Sequence, residues 1–118
     1  MELGVFGMID WERVNSLRDE IGEDSFDEVV ELFLDEVETV ISRLRLHPDP
    51  VTYEQDLHFL KGSAWNLGFA DFGAICQDGE RLAARGNPTA IDIGAVVESY
   101  VRSRKTFMAG IAGRSSAA

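Results

Sequence analysis

Apolar residues recur at steps of three and four along most of this chain, in segments that proline and glycine residues separate. The longest apolar stripe consists of Phe26, Val29, Val30, Phe33, Val37, Val40, Ile41 and Leu44. A repeat of this kind places its apolar residues on one face of an α-helix. Because no segment shows the alternation of apolar and polar residues that is typical of a half-buried strand, the sequence predicts an all-α fold.

Five helices are predicted from this periodicity and from the residues that interrupt it. A short first helix covers about residues 10–21, with Asp10 as its N-cap and Gly22 at its end. Four longer helices cover about residues 25–46, 51–67, 71–85 and 89–108. Short turns between long amphipathic helices favour antiparallel neighbours. The expected architecture is therefore an antiparallel up-down four-helix bundle with a short additional N-terminal helix.

Composition and charge limit what such a bundle can bind. The chain has 118 residues, enough for one domain over 1–118, and we expect its ends at 1–9 and 110–118 to be loosely ordered. The net charge of −10 argues against binding to nucleic acid or to an anionic membrane surface. No apolar run approaches the ~20 residues of a membrane span, and the start lacks the features of a secretory signal. The single Cys76 excludes an internal disulfide, so we expect a cytoplasmic protein.

One helical segment places a histidine, a lysine and a glycine on a single face. In the third predicted helix, a stripe separate from the apolar one consists of Glu54, His58, Lys61, Gly62 and Trp65. A glycine in a helix interior costs about 1 kcal/mol relative to alanine. A glycine beside a histidine is explained if it clears space around the imidazole ring.

These residues form a motif that resembles a known family. The run His58-Phe59-Leu60-Lys61-Gly62-Ser63-Ala64, followed by Leu67-Gly68, is similar to the His-x-Leu-Lys-Gly-Ser-[Ser/Ala] core of the histidine phosphotransfer (HPt) family and its later glycine. The helical pattern is compatible with that family over about residues 10–108. The resemblance implies a helical bundle in which an exposed His58 accepts a phosphoryl group from the aspartate of one receiver domain and passes it to another.

The register of the predicted hairpin suggests a partner for His58. The turn between the third and fourth helices is centred near Phe69, with His58 eleven residues before it and Glu80 eleven residues after it. Residues equidistant from the turn lie level in an antiparallel hairpin, so we expect Glu80 to accept a hydrogen bond from His58 Nδ1–H and to leave Nε2 with its lone pair. The family is similar here, with Gln or Glu usual at this spacing. Gln77, which lies level with Lys61, is the alternative partner.

The neighbouring residues have expected roles in phosphoryl transfer. Lys61 is expected to supply positive charge near the phosphoryl oxygens, and Gly62 to leave room for their approach. Ser63 either donates a hydrogen bond to them or packs between helices. Trp65 is either partly exposed, where it anchors a partner, or covered by the first helix. No set of acidic and histidine residues has metal-like spacing, so we expect no cofactor and a magnesium ion supplied by the receiver partner.

These features favour a phosphocarrier that is transiently modified on histidine, and not an enzyme. The chain has no glycine-rich phosphate loop, so it is not expected to phosphorylate itself. The favoured function is a stand-alone HPt protein, for which the start at Met1 is weak support, and a histidine that needs open access favours a monomer. The alternatives are a histidine-bearing module of a larger sensor or chemotaxis-type kinase, and a non-phosphorylated helical adaptor. The intact His-x-x-Lys-Gly sequence argues against the adaptor.

Overall fold

The computed structural model describes residues 7–117, with side chains as far as residue 112. In this part of the chain, the α-helices are α1 (Trp11–Ile21), α2 (Glu23–Leu46), α3 (Tyr53–Leu67), α4 (Ala70–Ala84) and α5 (Ile93–Ala117). Short 3-10 turns at Pro50–Thr52 and Pro88–Ala90 precede α3 and α5. The described residues contain no strand beyond one isolated antiparallel bridge between Ile9 and Phe69. The prediction of an all-α fold is therefore confirmed.

Local chemistry explains where the helices begin and end. The carboxylate of Asp10 accepts a hydrogen bond from the Arg13 backbone N–H at 3.2 Å and caps α1. Gly22 lies between α1 and α2 with φ at 89°, and Gly68 ends α3 with φ at 84°. Residues with a Cβ rarely adopt such angles, so glycine permits both chain reversals.

Several helices differ in their bounds from the predicted ones, and α2 begins at Glu23, two residues earlier than expected. Pro50 and Pro88 each open a 3-10 turn, so α3 and α5 start later than expected. The carboxylate of Asp92 accepts a hydrogen bond from the Ala95 N–H at 3.0 Å, at the start of α5. The helix then runs to Ala117 and not to the predicted end at 108, because the small residues that follow include no proline to break it.

Helices α3 and α4 form a close antiparallel hairpin about Gly68 and Phe69. Leu57 and Leu60 of α3 are fully buried against α4 and the rest of the core. A Cβ atom at Gly79 would lie 2.8 Å from Cδ1 of Leu57. The glycine therefore lets the two helices approach closely at the level where the candidate site lies.

Contacts with α2 and α5 complete the core on the other side of the hairpin. Arg43 of α2 makes a bidentate ion pair with Asp56 of α3, with N–O distances of 2.7 and 2.8 Å. Tyr100 of α5 donates a hydrogen bond to Glu38 of α2 at 2.8 Å. These contacts fix α3 between its neighbours and leave one side of the α3–α4 hairpin facing solvent.

The structure describes part of each chain end, namely residues 7–9 and 110–117. Residues 1–6 and 118, which belong to the ends expected to be loosely ordered, lie outside the described residues. Ile9 differs from that expectation because it is buried and its backbone pairs with Phe69. Gly110 also differs, because it lies in α5 against the indole ring of Trp11. Among the described helices, none has the length and apolar content that crossing a membrane requires.

Candidate functional site

His58 projects from the solvent face of α3. Its side chain is 70% exposed, whereas Leu57 and Leu60 beside it in the sequence are buried. The Nδ1 atom lies 2.8 Å from Oε2 of Glu80 on α4. An ionised carboxylate only accepts hydrogen bonds, so the neutral ring carries its proton on Nδ1 and keeps a lone pair on Nε2. The geometry thus presents a nucleophilic nitrogen on an open surface.

Glu80 links His58 to Lys61. Its second oxygen, Oε1, lies 2.8 Å from the Lys61 ammonium, and both side chains are partly exposed. The ammonium of Lys61 is the main reason that the pKa of the Glu80 carboxyl is lowered, and the contact with His58 lowers it further, against the opposing effect of burial. Glu80 is therefore ionised at neutral pH and available as the acceptor for His58.

The structure distinguishes between the two candidate partners of His58. The carboxylate of Glu80 contacts His58 Nδ1, so Gln77 is not the partner of that atom. Gln77 lies half-buried about one turn earlier on α4. The ion pair between Lys61 and Glu80 was not predicted from the sequence, which placed Lys61 level with Gln77. A long lysine side chain reaches about one helical turn along its neighbour, so level alone does not identify its partner.

Gly62 and Ser63 occupy different surroundings. A Cβ atom at Gly62 would meet nothing within 4 Å, so packing does not require glycine there, and bare backbone lies beside His58. Ser63 is 7% exposed and turned into the bundle, away from the exposed imidazole. Its position agrees with the packing alternative and not with a hydrogen bond to an incoming phosphoryl group.

Trp65 is partly exposed on the same side of α3 as His58. Its side chain is 42% exposed, and its ring lies against α4 at Gly73, where a Cβ atom would be 2.7 Å from Cζ3 of the indole. Trp11 of the first helix stacks on Phe107 of α5 at a centroid distance of 6.0 Å, and Trp65 keeps its exposure. Of the two expectations for Trp65, partial exposure is the one that the structure shows.

Metal-ligating side chains do not cluster near these residues. Within the part of the chain that the structure describes, no group of three or more His, Cys, Asp and Glu residues is placed to hold a metal ion. An open depression beside the imidazole is lined by Val51, Glu54, Gln55, His58 and Glu80. The site therefore consists of an exposed nucleophile, its carboxylate partner and one nearby ammonium group.

Comparison with known proteins identifies the family. The sequence model of the Hpt domain matches residues 28–103, more than half of the chain, and this span includes His58, Lys61 and Glu80. No curated protein and no solved structure matches the chain. The helical bundle, the exposed histidine and the family match agree, and the chain belongs to the histidine phosphotransfer (HPt) domain family.

Proposed function

We propose that this protein carries a phosphoryl group on His58 between the receiver domains of a two-component phosphorelay. The main support is the contact of His58 Nδ1 with Glu80, which the ring makes while its side chain stays 70% exposed. It fixes the tautomer in which Nε2 is the nucleophile while leaving that side of the ring open to a partner. HPt domains are phosphocarriers, and the family match supports the same role here.

The proposed reaction is an in-line displacement at phosphorus. The Nε2 lone pair of His58 forms a new N–P bond while the P–O bond to the receiver's aspartate breaks, and the electron pair of that bond stays on the carboxylate. The ring becomes an imidazolium that still carries its proton on Nδ1, where the Glu80 carboxylate stabilises the new positive charge. Transfer to a second receiver reverses these steps, so neither a proton nor an electron is gained over a cycle.

Lys61 is proposed to stabilise the negative charge of the phosphoryl oxygens during transfer. Its ammonium has three donors, and its Nζ lies 2.8 Å from Oε1 of Glu80. The remaining donors are available to an oxygen of a phosphoryl group on His58, which lies one helical turn away. In this proposal Lys61 also keeps Glu80 ionised, so the same cation supports both the nucleophile and the charge that develops on phosphorus.

The finer features of the proposal concern topology and partners. We propose an antiparallel up-down arrangement of α2–α5, which is supported by the contacts between successive helices. The protein is proposed to act as a cytoplasmic monomer that is modified in each cycle, because the open face of α3 is needed by the receivers. Phosphoryl transfer of this kind uses magnesium, and we propose that the receiver domain supplies it.

Incubation with phosphorylated receiver domains tests the proposal. The chain has two histidines, so His47→Gln is a matched control for His58→Gln. We expect acid-labile, alkali-stable label on the wild type and on His47→Gln, and none on His58→Gln. Label that persists on His58→Gln would contradict the proposal. A lack of label from every receiver of a broad panel would favour the non-phosphorylated adaptor.

A further inference from the structure

The exposed face of α3 around His58 carries two aromatic side chains, Phe59 and Trp65. Between residues 55 and 66, the exposed positions of α3 carry no formal charge at neutral histidine, although exposed Glu54 and part-buried Lys61 lie on the same face. These uncharged positions are Gln55, His58, Phe59, Gly62, Trp65 and Asn66. The chain as a whole has a net charge of −10. Aromatic residues are enriched at protein interfaces, so the two exposed rings make this face a candidate docking surface.

Trp65 is held in place by the helix that it packs against. Trp65 and Gly73 each lie four residues from Phe69, so they are level in the α3–α4 hairpin, as His58 and Glu80 are. A Cβ atom at Gly73 would lie between 2.7 and 2.9 Å from three atoms of the indole ring. The ring therefore occupies the space that any other residue at this position would fill. An aromatic side chain that is fixed before binding loses little conformational entropy in a complex.

The spacing of His58 and Trp65 places them under the same partner. They are seven residues apart on α3, which corresponds to about 10 Å of helix rise. An interface of standard size covers about 800 Å² on each protein, a patch with a radius of about 16 Å. A receiver that brings its aspartyl phosphate to Nε2 of His58 therefore also covers Trp65. Gly62 lies between the two, and a Cβ atom there would meet nothing within 4 Å, so the partner can approach the helix backbone.

We propose that Trp65 is the anchor by which this protein selects its receiver domain. This inference rests on the proposed function, because the partner is the receiver that reaches His58. The favoured receiver has an apolar recess opposite the indole, because burying the ring against apolar surface stabilises the complex. Trp65 lies too far from His58 to take part in the chemistry, so it acts on affinity and selectivity.

Two variants and one control test this anchor with a receiver that phosphorylates the wild type. Trp65→Ala removes the indole, and Gly73→Ala keeps it but places a methyl group where the ring lies. Val101→Ala is the control, because it removes an exposed apolar side chain from a groove between α2 and α5. The dissociation constant is measured by titration, the transfer kinetics are measured in parallel, and circular dichroism confirms that each variant is folded.

The expected result is a loss of affinity at both positions of the aromatic contact. We expect Trp65→Ala to raise the dissociation constant about thirtyfold, the effect of an interface hot spot. Gly73→Ala should raise it in the same direction, and Val101→Ala should leave it unchanged. For Trp65→Ala, KM should rise while kcat stays near the wild-type value. Across several receivers, the ratio of kcat/KM between the best and the poorest should become smaller.

Three contrary results would be distinguishable. If the wild type is phosphorylated but Trp65→Ala binds and discriminates among receivers as the wild type does, the anchor is excluded and the proposed function stands. A loss of affinity in Val101→Ala without one in Trp65→Ala would place docking on the α2–α5 face. It would exclude the anchor and leave the proposed function standing. If no receiver phosphorylates the wild type, the proposed function fails and the inference fails with it.

Discussion

Replacing Glu80 with alanine tests the contact on which the proposed chemistry depends. The change removes a carboxylate that lies 2.8 Å from both His58 Nδ1 and Lys61 Nζ. A hydrogen bond to a charged group contributes about 1.5–3 kcal/mol. Because the His58 side chain is 70% exposed, water screens the interaction and the lower value is the appropriate one. A loss of about 1.5 kcal/mol of transition-state stabilisation predicts a transfer rate that is about tenfold lower.

Single-turnover transfer from a saturating phosphorylated receiver measures this rate. Glu80→Gln is the matched control, because its amide oxygen still accepts a hydrogen bond from Nδ1–H. Without the charge, this hydrogen bond keeps about half its strength, so we expect a transfer rate about threefold lower than that of the wild type. Nitrogen-15 spectra of the ring provide a second readout. The Nδ1–H tautomer of His58 should dominate in the wild type and lose population in Glu80→Ala. Equal rates and equal tautomer populations in wild type and Glu80→Ala would show that Glu80 does not orient the ring.

Three further changes have specific expected outcomes. Lys61→Ala should slow transfer without changing helicity, because the cation near the phosphoryl oxygens is lost; transfer kinetics and circular dichroism measure this. Gly62→Ala should raise the free energy of unfolding by about 1 kcal/mol, since the Cβ meets nothing in the protein, but should slow transfer by obstructing the receiver. Asp56→Asn should lower that free energy by about 1.5 kcal/mol at pH 7, measured by urea denaturation, since it removes the carboxylate paired with Arg43.

The stabilisation that the Asp56–Arg43 ion pair contributes depends on pH. The hydrogen bonds from Arg43 are the main reason that the pKa of the Asp56 carboxyl is lowered in the folded protein. A lowered pKa means that the stabilisation is fully present above the unfolded-state pKa of about 4 and is lost as the pH falls through the folded-state pKa. Wild type and Asp56→Asn should therefore converge in stability on acidification. If the difference in unfolding free energy between the two proteins stayed constant as the pH fell, it would not come from the charge on Asp56.

The outcomes for the other two variants are equally specific. For Lys61→Ala, an unchanged transfer rate would remove its proposed role at the phosphoryl group. For Gly62→Ala, transfer at the wild-type rate would show that the partner does not approach the bare backbone. A fall in the unfolding free energy of Gly62→Ala would show that the methyl group meets part of the protein after all.

Much of the site geometry could be predicted from the sequence because it depends on local rules. The turn at Gly68 and Phe69 is short, so the register of the hairpin follows from counting outward from it. That count placed Glu80 level with His58, and the two side chains are in contact. The same count places Gly73 level with Trp65, and a glycine opposite a tryptophan was a signal of that contact in the sequence.

Other features could not be predicted from local patterns. The ion pair between Lys61 and Glu80 depends on the conformation of a long side chain, which helix periodicity does not determine. The backbone bridge between Ile9 and Phe69 joins residues distant in sequence, and the segment before α1 has no periodic signal to predict it. The end of α5 was placed too early because a run of small residues resembles a tail, although alanine is the best helix former.

The atom that carries the phosphoryl group can be identified by spectroscopy. After incubation with a phosphorylated receiver, phosphorus–proton correlation spectra identify the histidine and the ring nitrogen that carry phosphorus. We expect an N–P bond at Nε2 of His58, with Nδ1 still protonated beside Glu80. Phosphorus on Nδ1 of that ring, or on His47, would contradict it.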